Sequence, residues 1–322
     1  MTDAGTQPPI AEGLAEVLAC EIDGVVRLSG GASRETYAFD VVRRDGEREP
    51  MVLQRQRPGA KLTSGGGIEM EAALLREAWK GGVPVAELIA SGKADSPLGA
   101  AFLVTRRVEG ATIARKILRD DEYAAARPKL AGQLGEALAA VHRIPVDAAP
   151  GLEQHDQVDQ YRAILDSLGE PHPAIELGLR WLDRNRPPSE RTTVVHGDFR
   201  LGNLIVGRDG LRAVLDWEIA HLGDPLEDLG WLCVRAWRFG ASKPVGGFGE
   251  YEDLFDAYAS ASGTKVDPEV VRWWEILGTS KWGVICIMQA SSHLMGFSRS
   301  VELAAIGRRV CENEHDLLEL LP

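Results

Sequence analysis

At 322 residues and a net charge of −12, the chain is too long for one minimal domain and long enough for two lobes sharing a cleft. Its 44% hydrophobic and 26% charged composition is that of a globular protein, and the acidic balance argues against nucleic acid as a partner. No apolar run approaches the ~20 residues of a membrane span. The amino terminus has neither a basic start nor an apolar core, so no signal peptide is expected. Cys20, Cys233, Cys286 and Cys311 make no C-x-x-C and read as reduced thiols of a cytoplasmic protein.

Residues 1–10 read as a tail. Leu14, Val17 and Leu18 give the next stretch, to Cys20, the spacing of a short amphipathic helix. Val25–Leu28 and the segment up to Phe39 read as two strands around a turn containing Gly30, Gly31 and Ser33. Met51–Arg57 is a strand in which Leu53 and Arg55 share a face, since alternate side chains point the same way. A Gly- and Ser-rich loop precedes a helix over 68–80, with Ile68, Ala72, Leu75 and Trp79 on one side. Strands follow over 85–91 and 100–108. From Thr112 the pattern is mostly helical. Leu130, Leu134, Leu138 and Val141 mark a helix over 129–142 that closes on His142, where a histidine packs favourably at the helix end. Helices over 157–168 and 174–185 come next, the second stopped by Pro187-Pro188. Beyond the central stretch, 250–262, 268–297 and 299–320 read as helices. Most of the tryptophans fall after Leu229 and read as core, some of them able to line a pocket.

The informative stretch is 193–229. Val194-Val195 lead into His196-Gly197-Asp198, and Asn203 stands five residues after Asp198. A Gly-Arg-Asp-Gly turn then separates two apolar runs, the second ending at Asp216-Trp217-Glu218, and Gly223-Asp224-Pro225 and Asp228 close the stretch. Phosphoryl transfer requires a carboxylate to orient and deprotonate an attacking hydroxyl, and oxygen ligands for Mg²⁺ drawn from two backbone segments. Asp198 suits the first task; Asn203 and Asp216 suit the second. H-G-D-x-x-x-x-N has the spacing of the protein-kinase catalytic loop, with Asp216 where the DFG aspartate stands. The chain has no G-x-x-x-x-G-K-[ST], which argues against a P-loop enzyme.

These residues resemble the aminoglycoside phosphotransferase/choline kinase-like family, and most of all the phosphotransferase domains related to the amino-terminal part of certain acyl-CoA dehydrogenases. The resemblance implies an α+β, protein-kinase-like two-lobed fold, with a β-rich N-lobe over 1–106 and a mainly helical C-lobe over 107–322. It implies an ATP- and Mg²⁺-dependent enzyme, ATP or GTP being the donor, that phosphorylates a small-molecule hydroxyl. Hydroxyacyl-CoA compounds head the acceptor classes, with aminoglycosides, macrolides or choline as alternatives and a silent pseudokinase as the opposing reading. Gly30, Gly31 and Ser33 would cover the nucleotide. Arg55, in place of the family's usual lysine and with Arg57 as competitor, would pair with Glu71 on the helix to hold the α/β phosphates. Glu69 and Glu77 are equally available by composition, but position relative to Val83-Pro84-Val85 favours Glu71. Backbone groups of Val104 to Arg106 would meet the adenine. His196, Asp224 and Asp228 would support the loop, and Arg200 would meet a phosphate or an acidic substrate group unless it faces solvent.

Overall fold

The structure is a computed structural model and describes residues 10–28, 34–57, 67–188 and 191–322. The expected nucleotide-covering residues Gly30, Gly31 and Ser33 lie outside the described residues. Helix α1 (Ile10–Leu18) leads into strands β1 (Glu21–Leu28), β2 (Arg34–Val42) and β3 (Arg48–Gln56), then helix α2 (Gly67–Lys80), and strands β4 (Leu88–Gly92) and β5 (Phe102–Arg106). The five strands form one antiparallel sheet in the order β1-β2-β3-β5-β4.

The strand period gives this sheet two distinct faces. Phe39, Met51, Leu53, Phe102 and Val104 pack with Leu14 of α1 on one face. Leu103, of opposite parity, joins Leu74, Leu75 and Ala78 of α2 in a core that continues into the helical part of the chain. Along α2, Ile68, Ala72 and Leu75 are buried as expected, but Trp79 is 52% exposed, because the helix turns Leu74 and Ala78 toward the sheet.

The helical part comprises α3 (Ala114–Arg119), α4 (Arg127–Val141), α5 (Gln157–Leu168), α6 (Pro173–Arg184), α7 (Leu226–Cys233), α8 (Tyr251–Ser262), α9 (Pro268–Leu294), α10 (Val301–Ile306) and α11 (Val310–Leu320). Two small antiparallel ribbons lie among them: β6 (Thr193–Val195) with β9 (His221–Gly223), and β7 (Leu204–Gly207) with β8 (Gly210–Val214). Helix α9 starts on a capping Asp267, whose carboxylate accepts the Glu269 N–H at 2.9 Å, and on Pro268 in its first turn. It packs against α5, α6, α7 and α11 and so ties the helical part together. The expected single helix over 299–320 is interrupted by a 3₁₀ turn at Gly307–Arg309. A Cβ on Gly307 would lie 2.6 Å from the Ala290 Cβ, so the chain approaches α9 there more closely than a regular helix with side chains permits.

Candidate active site

The antiparallel β6–β9 pairing opposes Val195 to His221 and sets the His196–Asp198 loop beside the Ile219-Ala220 segment that leads into β9. Gly197 has φ +79°, and a Cβ there would lie 2.8 Å from the Ile219 carbonyl, so only glycine fits between the two segments. Asp198 follows at the open end. Its Oδ1 accepts from Arg200 Nε at 2.8 Å and from the Trp231 indole at 2.9 Å, and its Oδ2 accepts from Asn203 Nδ2 at 2.6 Å. Asn203 thus uses its nitrogen on Asp198, and its amide oxygen is the end that a hard cation takes. The Leu215 N–H donates to the Asn203 carbonyl at 2.8 Å, which brings Asp216 alongside. The three residues expected to share one site are brought together.

His196 is fully buried and joins these segments. Its Nδ1 accepts the Asp198 N–H at 3.2 Å, so the ring proton sits on Nε2 and is donated to the Leu215 carbonyl at 3.0 Å. Burial pushes its pKa down, consistent with the neutral ring that this pattern requires. Asp228 secures the loop from behind, accepting the N–H groups of His196 at 2.7 Å and Gly197 at 2.9 Å. Its Oδ2 also meets His142 Nε2 at 3.1 Å, while His142 Nδ1 meets the Tyr258 hydroxyl at 2.9 Å. Asp224 accepts the Leu226 N–H at 2.9 Å and anchors the first turn of α7.

Asp216 sits at φ +64°, a conformation that L-residues avoid and that is often retained at functional positions. Burial pushes its pKa up to about 7, and the negative charges of Glu218, Glu71 and Asp198 add to the effect. Among the described residues no group of three or more His, Cys, Asp or Glu side chains is arranged to hold a metal ion. A Mg²⁺ site built from one or two carboxylates, an amide oxygen and substrate phosphates does not need such a group. The crowding of carboxylates around Asp216 is the environment that a divalent cation relieves.

Two expectations are corrected. Arg55 does not reach Glu71. It is 5% exposed and lies on the α1 face of the sheet, bonded to Glu35 at 2.8 Å and to the Leu98 carbonyl at 3.1 Å, because it shares the parity of Leu53. Glu71 instead pairs with Arg34 of β2 at 2.5 Å and accepts the backbone N–H of Trp217. Nor are Val104 to Arg106 available to a base: they belong to β5, which is paired with β3 on one side and β4 on the other, and the Arg106 N–H is donated to the Glu87 carbonyl at 2.9 Å. The Arg106 side chain is held by Glu49 and Glu87.

Sequence reasoning missed Arg34, Trp231, Tyr258 and Lys281. Lys281 is buried in α9, its Nζ 3.4 Å from the Gly197 carbonyl and 4.7 Å from the centre of the Trp231 ring. A lysine within the buried run of a 27-residue helix was the available signal. Arg200 is half-buried: beyond Asp198, its guanidinium stacks 4.4 Å from the Trp237 ring centre. A cleft of about 370 Å³ next to this loop is lined by Glu153, His155, Gln157, Tyr161, His221 and Lys281.

Residues 24–274 match the sequence profile of the phosphotransferase enzyme family, APH. The chain belongs to that family. This phosphotransferase is 29% identical over 238 residues to mouse acyl-CoA dehydrogenase family member 10, a match covering 69% of the chain and 21% of the relative. It is 27% identical over 309 residues to human acyl-CoA dehydrogenase family member 11, covering 85% of the chain and 39% of the relative. The chain thus spans well under half the length of these relatives. Among solved structures, a Ralstonia eutropha protein of aminoglycoside phosphotransferase type superposes with TM-score 0.76 at 21% identity, over 96% of this chain and 97% of that one. Spectinomycin phosphotransferase, solved with ADP and spectinomycin, superposes with TM-score 0.68 at 15% identity over 98% and 100%. The phosphotransferase accordingly has the α+β, kinase-like two-lobed fold of these proteins. Among its described residues no helix is long and apolar enough to cross a membrane.

Proposed function

We propose that this phosphotransferase moves the γ-phosphoryl group of ATP to the hydroxyl of a small molecule, between an N-lobe ending near residue 106 and a C-lobe beginning at 107. The observation that carries the reading is the convergence of Asp198, Asn203 and Asp216, fixed by the Asn203–Asp198 and Leu215–Asn203 hydrogen bonds. Asp198 orients the acceptor hydroxyl and takes its proton. Asn203 and Asp216 would hold Mg²⁺, which when bound neutralises charge on the transferring phosphoryl group. With β5 flanked by β3 and β4, the base edge would meet the backbone just beyond it, at Val108 and Glu109. The cleft beside Gly197 receives the acceptor. Hydroxyacyl-CoA compounds head the candidates, because the curated relatives join a matching segment to an acyl-CoA dehydrogenase. A 25% match over 187 residues to a Streptomyces fradiae aminoglycoside 3'-phosphotransferase keeps the antibiotic class as the second panel. The four cysteines are free of disulfides, which supports a cytoplasmic site of action.

The test is ADP release from Mg·ATP with both acceptor panels, alongside the melting temperature. A ligand that binds only the folded state raises that temperature by mass action. Asp198→Asn should lower turnover by about 10²–10⁴-fold while keeping the Mg·ATP-induced rise. A wild-type chain whose melting point ignores millimolar ATP and GTP would sink the reading.

A further inference from the structure

We propose that Arg34, reaching from β2, is the cation that Glu71 holds against the phosphates of the donor nucleotide. The proposal rests on the phosphoryl-transfer reading above and names a residue for that site. In protein kinases this task falls to a lysine on β3, paired with a glutamate on the helix that follows, and both must be in place for transfer. Here α2 supplies the glutamate, but β3 supplies no cation to it: Arg55 lies on the other face, and Arg48 sits at the far end of the strand with Asp23 and Asp40.

The register shows why. β2 and β3 pair Arg34 with Gln56, Glu35 with Arg55, and Thr36 with Gln54, while Gln54 and Leu53 face Leu103 and Val104 of β5. Leu103 belongs to the core shared with α2, whereas Leu53 and Val104 belong to the core shared with α1. Val52, Gln54 and Gln56 therefore lie on the α2 face of β3, and all three are neutral. Of the two basic residues of that strand, Arg55 is committed to Glu35 and Leu98 on the other face, and Arg48, at the strand's far end, is paired with Asp23 and Asp40. The α2 face receives its positive charge from the neighbouring strand.

Arg34 is placed for the task. Its Nη1 meets Glu71 Oε2 at 2.5 Å and its Nη2 lies 3.6 Å from Glu218 Oε2, two residues past Asp216. Glu71 in turn accepts the Trp217 N–H. Arg34 and Glu71 thus link the sheet, α2 and the Asp216 segment in one contact set, at the point where the phosphates must pass if Asp216 holds their metal. A guanidinium has five donors in a planar fork, so it can keep Glu71 and still meet phosphate oxygens. A solely structural role would ask only that Arg34 neutralise the buried Glu71, and the two roles separate by ligand.

Binding of Mg·ATP and of adenosine should be measured by calorimetry for the wild type, Arg34→Met, the double variant Arg34→Met/Glu71→Gln, which leaves no unpaired buried carboxylate, and Arg55→Met. Loss of a charge-assisted contact predicts about 10–100-fold weaker Mg·ATP binding by both Arg34 variants, with adenosine affinity within twofold of wild type. Adding Gln54→Lys to Arg34→Met, which puts a cation on the α2 face of β3, should recover part of the lost affinity. Arg55→Met should melt at a lower temperature yet keep the wild-type ratio of the two affinities. If the single variant does not fold, the double variant decides. The proposal is overturned if the folded Arg34 variant binds Mg·ATP as tightly as wild type, or loses adenosine equally. A wild-type chain that binds neither ligand overturns the phosphoryl-transfer reading and this proposal together; a wild type that binds, with an Arg34 variant that matches it, overturns this proposal alone.

Discussion

The Asp228 carboxylate accepts the backbone N–H of His196 at 2.7 Å, reaching from α7 into the loop that carries Asp198. It serves Gly197 N–H and His142 Nε2 as well, all out of solvent. Burial disfavours its charge, but the hydrogen bond and charge of His142, with the N–H of His196, outweigh burial and hold its pKa below the usual carboxylate range. Asp228→Ala strands these partners and should cost about 3–5 kcal/mol in urea-unfolding free energy. A depressed carboxylate contributes stability above its unfolded pKa of ~3.9 that disappears as pH falls through the folded value. The wild type should therefore lose stability more steeply than Asp228→Ala in acid below about pH 4. Parallel acid limbs would count against this account.

Asp216 combines a left-handed backbone with a crowded carboxylate. Asparagine tolerates that backbone and alanine does not, so Asp216→Asn should melt near the wild type while Asp216→Ala loses about 1–2 kcal/mol more. Both should lose the Mg²⁺-dependent part of the ATP-induced rise in melting temperature. An undiminished Mg²⁺ effect in Asp216→Asn would remove Asp216 from the metal site.

His221 and Glu227 form a second pair behind the loop, with Nε2 and Oε2 3.2 Å apart. Burial opposes the charge on His221, but Glu227 outweighs it, and the histidine pKa is raised while that of Glu227 is lowered. A raised histidine contributes stability in full below its unfolded value of ~6.5 and loses it as pH rises through the folded value. The wild type should thus weaken from about pH 6.5 upward relative to His221→Asn, read by melting temperature across a pH series. Identical slopes above neutrality would contradict the pairing.

Gly230 lets α7 lie directly on α9: a Cβ there would stand 2.5 Å from the Trp274 Cβ and 2.9 Å from the Glu275 nitrogen. Gly230→Ala should cost about 1–3 kcal/mol by overpacking, seen as a lower denaturation midpoint. A variant as stable as the wild type would mean that the two helices can separate without loss.

Much of the centre was legible in the sequence because it is local. Asp198 and Asn203 lie on one short loop between apolar runs, Gly207 to Gly210 turn a hairpin, and the composition of these segments states both facts. Helices α4, α5 and α9 were legible to within a few residues of their ends, α4 from its apolar spacing. The break at Gly307 was not, since it depends on how closely the chain approaches Ala290 of α9.

What the sequence determined by itself was the set of chemical groups and their order: a carboxylate, an amide and a second carboxylate at motif spacing. Which distant groups hold them was decided by tertiary structure alone. Asp228 and His142 meet across 86 residues, a separation that no local pattern encodes. The partner of Glu71 was decided in the same way. Alternation says that Leu53 and Arg55 share a face of β3, but not whether α1 or α2 covers that face. Packing put α1 there, sent Arg55 to Glu35, and left Arg34 to meet Glu71.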